Sequence, residues 1–501
     1  MVLNNAQRKI GADNYRDAFK VTRRQVLTGI PALAGVAGLY FGYEKIDNKE
    51  PVRVGVIGTG DQGRAHIGQM NPDYLRIVAF SDIRPSSQKA ARLLLSDKFG
   101  DKAKDIKLYE NYRDLLDNND VEMVIIALPL HLHAEASIAA LGKKKHVLCE
   151  KLMAKTVKQC KDMVQAADAA QKMLAIGHQR HYSYLYANCR AIIDQGDALG
   201  DIRHIRAYWH RNQTSAANRD DADAKSGKWD GWKGMRPLLD EDRKLDVKAL
   251  GYDSLEQLVR WRIYDKTGAG LMAELGSHQL DAASIFLGKK HPVAVSGFGK
   301  HIYFTDDRDV EDHIFLTFEF DKDANHAVVT YSSIGTNAFD GYGEQVMGTK
   351  GTLIVQEEHD AYVFREPKLG EAIVSRDTRV SWAEDRVNRP VAEAGSTARW
   401  VTGAETPDTL TSRGYREEQE HMAWLIRNPD KIILPSKDNP HPENDPDPEK
   451  ARRVPRCHGR VAMADAVIAL TANLAMKHET RIKFDEKWFD PYAPDTPEAL
   501  F

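Results

Sequence analysis

Residues 52–70 read VRVGVIGTGDQGRAHIGQM. The apolar run ending at Ile57 is rich in Val and Ile and predicts a buried strand. Gly58-Thr59-Gly60-Asp61-Gln62-Gly63 follows as G-x-G-x-x-G, and the stretch after it reads as a helix. The three glycines differ in what they permit. Gly58 makes the tight turn, Gly60 lets a pyrophosphate approach the backbone, and Gly63 lets helix pack on strand. The helix N-terminus adds free N–H groups and a positive dipole for the phosphates. A second strand, LRIVAFSD, ends in Asp82, ~19 residues beyond Gly63, where an acid accepts the adenosine ribose hydroxyls. Asp82 repels a 2′-phosphate and so favours NAD; Arg84 just beyond it partly offsets this and leaves NADP open.

Working outward, the alternation continues. VEMVIIALP reads as a strand, LHAEASIAALGKKK as a helix, HVLCEK as a strand, TVKQCKDMVQAADAAQKM as a helix and LAIGHQ as a further strand. Strand–helix alternation implies an α/β fold with a doubly wound parallel sheet and a ligand at the carboxyl ends of the strands. Those ends carry Pro129 and His133, then Glu150 and Lys151. From DIRHIRAYWH onward, strands follow one another with few helices between them, which implies a second, α+β domain built on a large, mainly antiparallel open sheet.

These strand-end residues and the glycine fingerprint together resemble the Gfo/Idh/MocA oxidoreductases, the family of glucose–fructose oxidoreductase and inositol dehydrogenase. That family carries E-K-P after its fifth strand; here Leu152 stands in place of the proline. A second resemblance lies in GAGLMAELGSHQLDAASIFLG, where His278 and Asp281 match the family's G-G-G-x-x-x-D-x-G-x-H-x-x-D helix and Glu274 replaces its first acid. The resemblance covers nearly the whole chain after residue 50. It implies a cofactor site of Gly58, Thr59, Gly60, Asp61, Gln62, Gly63, Asp82, Arg84, Pro129, His133, Glu150 and Lys151. It also implies an acid–base set of Lys151, His278 and Glu274, with Glu274 orienting His278, with Lys151 and His278 against the substrate, and with Asp281 either structural or substrate-binding. Glu274 and His278 are four apart, so an α-helix sets them on one face. A lysine serves as base where desolvation and nearby positive charge lower its pKa.

The function expected is hydride transfer between a nicotinamide cofactor and a hydroxyl or carbonyl of a sugar, polyol or glycoside. Two readings stay beside it. One is an NAD-dependent glycosidase working by transient oxidation, elimination and re-reduction; the other is a dinucleotide-binding protein without catalysis. The resemblance also implies a homo-oligomer, since the open sheet of that family supports oligomer contacts.

The chain of 501 residues has 42% hydrophobic and 29% charged residues and a formal net charge of −3. Such balance leaves no electrostatic footprint for nucleic acid. Its 18 histidines include no H-E-x-x-H, and its four cysteines, Cys149, Cys160, Cys189 and Cys457, have no disulfide-scaffold or zinc spacing, so no metal site is read.

The first 50 residues are read as a signal segment and linker, residues 51–178 as the dinucleotide-binding domain, 179–490 as the second domain and 491–501 as a tail. Polar insertions lie near 212–260, 366–412 and 435–456. Trp229, Trp232 and Tyr252 in the first of these either stack on sugar rings or pin the loop. Residues 22–28, TRRQVLT, precede an apolar Gly/Ala-rich run and resemble a twin-arginine (Tat) signal, with Arg23 and Arg24 as the pair. That implies a partnership with the Tat machinery and a periplasmic, exported protein. The apolar run is near the ~17-residue lower limit for spanning a bilayer, so the segment is either cleaved or kept as an N-terminal membrane anchor. Because Tat carries folded proteins and free NAD is scarce outside the cytoplasm, a tightly retained cofactor is expected.

Overall fold

The computed structural model describes residues 3–18, 41–46, 50–213, 231–234, 236–366 and 412–501. The first sheet has six parallel strands: β1 (Val52–Ile57), β2 (Leu75–Ser81), β3 (Lys107–Tyr109), β4 (Met123–Ile126), β5 (His146–Cys149) and β6 (Leu174–Ile176). Their spatial order is β3-β2-β1-β4-β5-β6. The chain reverses its winding between β1 and β4, so a crevice opens where both strands end, at Gly58 and Ala127.

Side chains of a strand alternate between the two faces of a sheet. Val54 and Val56 of β1 and Met123 and Ile125 of β4 enter one core with Phe80, Leu95 and Trp424. Ile57, Val124 and Ile126 enter the other with Leu115, Ala136 and Met163. Both faces are thus covered, and this explains why the central strands are apolar apart from Arg53 near the start of β1. The helix Tyr415–Arg427, expected in the second domain, supplies Met422, Trp424 and Leu425 to the first of these cores. Arg427 at its end grips Glu122 with two hydrogen bonds, of 2.9 and 2.7 Å.

The second sheet has eight strands: β7 (Ile202–His210), β8 (Ala294–Lys300), β9 (His313–Glu319), β10 (Val328–Ile334), β11 (Tyr342–Gly348), β12 (Gly351–Gln356), β13 (Asp360–Arg365) and β14 (Ile482–Lys483). They run β13-β12-β11-β7-β10-β9-β8-β14, antiparallel except for the β7–β10 pair. The helix Gly459–Lys477 is apolar and long enough to cross a membrane, but 83% of its apolar window is buried among protein atoms. All four cysteines are buried free thiols.

The N-terminal helix Asn5–Ala18 lies along β13, where Asn14 donates to the Val363 carbonyl at 3.0 Å. Phe41 and Tyr43 are buried in the core that holds Tyr182, Tyr184 and Trp424. The arginine pair at 23–24, Trp229 and nearly all of the insertion at 366–412 lie outside the described residues. The polar insertion at 435–456 contains the short helical turns Pro442–Asn444 and Pro448–Ala451.

Candidate active site

The glycine turn forms for the reasons its sequence suggests. Gly58 has φ +85°, and a Cβ there would lie 2.4 Å from the Ala127 carbonyl oxygen. A Cβ on Gly63 would lie 2.0 Å from the Gly58 carbonyl oxygen, so helix and turn touch backbone to backbone. A Cβ on Gly60 would meet nothing within 4 Å. That open direction faces a groove of about 770 Å³ lined by Gly58, Gly60, Asp82, Arg84 and Pro129. A groove of this size, beside the N-terminus of the helix Asp61–Gln69, fits a dinucleotide.

Asp82 stands at this groove, with one oxygen accepting from the Thr59 backbone N–H at 2.7 Å and the other from the Arg84 N–H at 2.8 Å. The first oxygen also accepts from the Thr59 hydroxyl at 3.2 Å, while the second, with one bond, can accept another, so Asp82 remains competent toward a ribose hydroxyl. Burial pushes its pKa up, against those backbone donors. Arg84 is not free to meet a 2′-phosphate. Asp242, from the insertion of the second domain, is fully buried and takes the Arg84 guanidinium at 2.9 and 2.8 Å. The same carboxylate accepts from the Ser86 N–H at 3.0 Å and hydroxyl at 2.6 Å. The insertion therefore roofs the groove, and Leu239, Leu250 and Tyr252 line it. Tyr252 is buried edge-on against His131, so of its two expected roles it takes the one of pinning the loop.

Several residues expected to touch the cofactor also brace the site. Thr59 is buried and bonded to Asp82. Glu150 accepts from Gln62 and His66, both at 2.7 Å, and so ties the end of β5 to the glycine-turn helix. His133 lies 2.8 Å from the carbonyls of both Leu128 and Leu152, linking the ends of β4 and β5. Asp61 is held between Arg64 at 2.9 Å and Arg236 at 3.2 Å.

A smaller pocket adjoins the groove and shares Gly60, Asp61 and Arg262 with it. Lys151, Glu274 and His278 all line this pocket. Residues 272–276 form a π-helical turn before the α-helix Ser277–Phe286. Wider turns of this kind re-aim backbone groups at functional sites. Here the Glu274 carbonyl accepts from Lys151 Nζ at 2.7 Å. The Glu274 carboxylate goes to Arg262 Nε at 2.7 Å, and no hydrogen bond joins it to His278. The expectation that Glu274 orients His278 is corrected accordingly; the widened turn breaks the i, i+4 geometry on which it rested. Burial lowers the Lys151 pKa, against the raising pull of Glu274 and Glu150. Burial first, then Lys151 and Arg180, hold His278 well below the usual histidine value, so its ring is neutral near pH 7. Burial raises the Glu274 carboxyl, but Arg262 and Lys151 outweigh it and the pKa falls.

Asp281 does not reach this pocket. It is buried one helical turn beyond His278 and pairs with His181 at 2.8 Å and Lys289 at 3.0 Å. Of its two expected roles, structural and substrate-binding, these partners give it the structural one. Sequence reading also missed Arg180, 1% exposed, which donates to the His278 carbonyl at 2.6 Å and pairs with Glu344 at 3.0 Å and Glu358 at 2.7 Å. The signal was present: Arg180 follows β6, at the strand ends where ligand-side residues gather. Arg211, Arg262, Trp209 and Tyr415 also line the pocket, and no local motif marks them.

Residues 52–178 match the model of the oxidoreductase family described as an NAD-binding Rossmann fold, and residues 248–354 match that of the GFO/IDH/MocA C-terminal domain. Inositol 2-dehydrogenase of Salmonella paratyphi B is 34% identical over 149 residues, covering 29% of this chain and 42% of that protein. The chain thus spans less than half the length of that relative. Among solved structures, levoglucosan dehydrogenase in complex with NADH and levoglucosan has a TM-score of 0.57 at 17% identity, over 87% of this chain and 100% of that one. Aldose-aldose oxidoreductase from Caulobacter crescentus has a TM-score of 0.55 at 17% identity, over the same shares. At such identities the likeness establishes the fold. By sequence, residues 52–178 therefore match an NAD-binding Rossmann domain and residues 248–354 a GFO/IDH/MocA C-terminal domain, and the likeness to the solved structures extends a shared fold over 87% of the chain.

Proposed function

We propose that this protein is an exported, NAD-dependent oxidoreductase acting on a C–OH or carbonyl group of a sugar, polyol or glycoside. The observation that carries the reading is the convergence of Lys151 and His278 in a pocket that opens onto the glycine-turn groove. When bound, the nicotinamide supplies the acceptor or donor for hydride. This chain's residues do the rest. Lys151, with its pKa lowered by burial, accepts the hydroxyl proton in its neutral form, and the Glu274 carbonyl fixes its position. The neutral His278 ring holds the same hydroxyl by a hydrogen bond. Trp209, Trp232 and Trp261 wall the pocket with apolar ring surface. The roof from the second domain, tied down by Asp242 on Arg84 and Ser86, supports tight retention of the nucleotide. The TRRQVLT segment supports export by the Tat route.

Full-length protein purified without added nucleotide should release NAD on denaturation, and sugars or polyols should reduce that bound nucleotide. Oxidation should speed up as pH rises through the Lys151 pKa, which sits below the ordinary 10.5, because only the deprotonated amine takes the proton. Lys151→Met should lower turnover by about 10²- to 10⁴-fold, the usual worth of a positioned base, with nucleotide content unchanged. Undiminished turnover in that variant refutes the role of Lys151. Cleavage of a glycoside without net reduction of nucleotide would select the oxidation–elimination route.

A further inference from the structure

The charged groups and histidines of the catalytic pocket are Asp61, Glu150, Glu274, Lys151, Arg211, Arg236 and Arg262, with His133 and His278. Most are already committed. Asp61 pairs with Arg236, Glu274 with Arg262, and Glu150 with His66 and Gln62. Lys151 donates to a backbone carbonyl. Arg211 remains. Among the described residues no carboxylate lies within ion-pair distance of its guanidinium, and no side-chain hydrogen bond satisfies it.

Its placement is nonetheless firm. Arg211 follows β7, and its backbone N–H donates to the Ile334 carbonyl at 2.9 Å, extending the β7–β10 ladder. The guanidinium lies over Trp209, 4.9 Å from the ring centroid, and 5.9 Å from the Trp232 ring. Trp209 is itself fixed by stacking on Tyr342 at 4.3 Å, and its ring centroid is 5.6 Å from that of His278. One indole thus spans the distance between the unpaired cation and the catalytic imidazole. Burial depresses the Arg211 pKa to about 10, which still leaves it charged at neutral pH. A half-buried guanidinium whose five donors have no partner among the described residues is placed to bind an anionic group of a ligand.

We propose that Arg211 anchors a carboxylate of the substrate, which makes the preferred substrate a sugar acid, an aldonate or uronate, rather than a neutral sugar. This rests on the oxidoreductase reading above. A planar guanidinium matches a carboxylate with two parallel hydrogen bonds, and one unmatched positive charge suits a monoanion. The tryptophan faces then carry the C–H surface of the sugar while the carboxylate sets which hydroxyl meets Lys151.

The test uses the nucleotide-bound, full-length protein with matched pairs: glucose against glucuronate and gluconate, galactose against galacturonate. Reduction of bound nucleotide is followed by absorbance. The wild type should favour an acid over its neutral partner by about 10- to 100-fold in kcat/KM, the worth of one charge-assisted pair. Arg211→Met should erase that ratio, and Arg211→Lys should restore part of it, since an ammonium keeps the charge but not the fork. An acid-to-neutral ratio near one in the wild type overturns the proposal, whether or not the variants fold. An equal loss on acids and neutral sugars in Arg211→Met also overturns it, because a purely structural arginine would behave so. Oxidation of neutral sugars alone leaves the oxidoreductase reading standing and the anchor refuted; reduction by no member of the panel refutes both.

Discussion

Asp242 should hold the cofactor groove to NAD and against NADP. Its buried carboxylate sits on the two groups best placed to receive a 2′-phosphate, the Arg84 guanidinium and the N-terminal amide of the helix Pro85–Phe99 at Ser86. A phosphate arriving there meets a negative charge in place of donors. Two unit charges ~5 Å apart at an effective dielectric of ~20 repel by about 3 kcal/mol. Asp242→Asn removes that repulsion and frees Arg84 to make a charge-assisted bond worth roughly 1.5–3 kcal/mol. Arg84 is partly exposed, with 21% of its side chain accessible, so solvent screening cuts the sum. A net gain of about 2 kcal/mol for NADP remains, roughly 30-fold in affinity. NAD, whose ribose has only hydroxyls, should change by no more than a few-fold because Asp82 is untouched. Calorimetric titration of nucleotide-stripped protein with NAD and NADP gives both constants. Adding Arg84→Ala to Asp242→Asn should cancel the gain. An NADP-to-NAD ratio that stays unchanged in the single variant refutes the argument. A parallel loss for both nucleotides would refute it too, since it would mean that Asp242 only holds the roof.

Two further variants separate folding from binding at the glycine turn. Gly63→Ala forces a Cβ against the Gly58 carbonyl and should cost about 1–3 kcal/mol, read as a lower Tm; Gly60→Ala should leave Tm unchanged while weakening NAD, because its Cβ enters only the open groove. Asp312 supplies a pH test. Burial raises its pKa, but the His313 ring and the N–H groups of Phe304, Tyr303 and Ile302 outweigh that and bring it below the ordinary 3.8. Its stabilisation is therefore complete above pH 3.8 and lost as pH falls through the folded value. Asp312→Asn should be less stable than wild type at neutral pH, with the gap closing below about pH 4 in urea titrations; a gap independent of pH would contradict the assignment.

The sequence by itself determined the first domain. G-x-G-x-x-G between an apolar strand and a helix admits few backbones, since each glycine answers a local steric demand, and the turn at Gly58, Gly60 and Gly63 forms on those terms. Strand–helix alternation fixed the parallel sheet because a buried strand must be apolar on both faces. The placement of Lys151 and His278 at the pocket beside the groove was legible for a related reason: one follows a strand end and the other lies in a glycine-marked segment. Tertiary structure alone decided the partners. The carboxylate of Glu274 turned to Arg262 because a π-helical turn, which no spacing rule announces, shifted it off the face of His278. Asp281 became a buried brace to His181 and Lys289. Asp242 and Arg84 are 158 positions apart, and Arg211 owes its unmatched charge to carboxylates already engaged by other arginines. Local patterns specify backbone because its constraints act over a few residues. Charge pairing over a hundred or more positions depends on which elements pack together, and only the folded chain settles that.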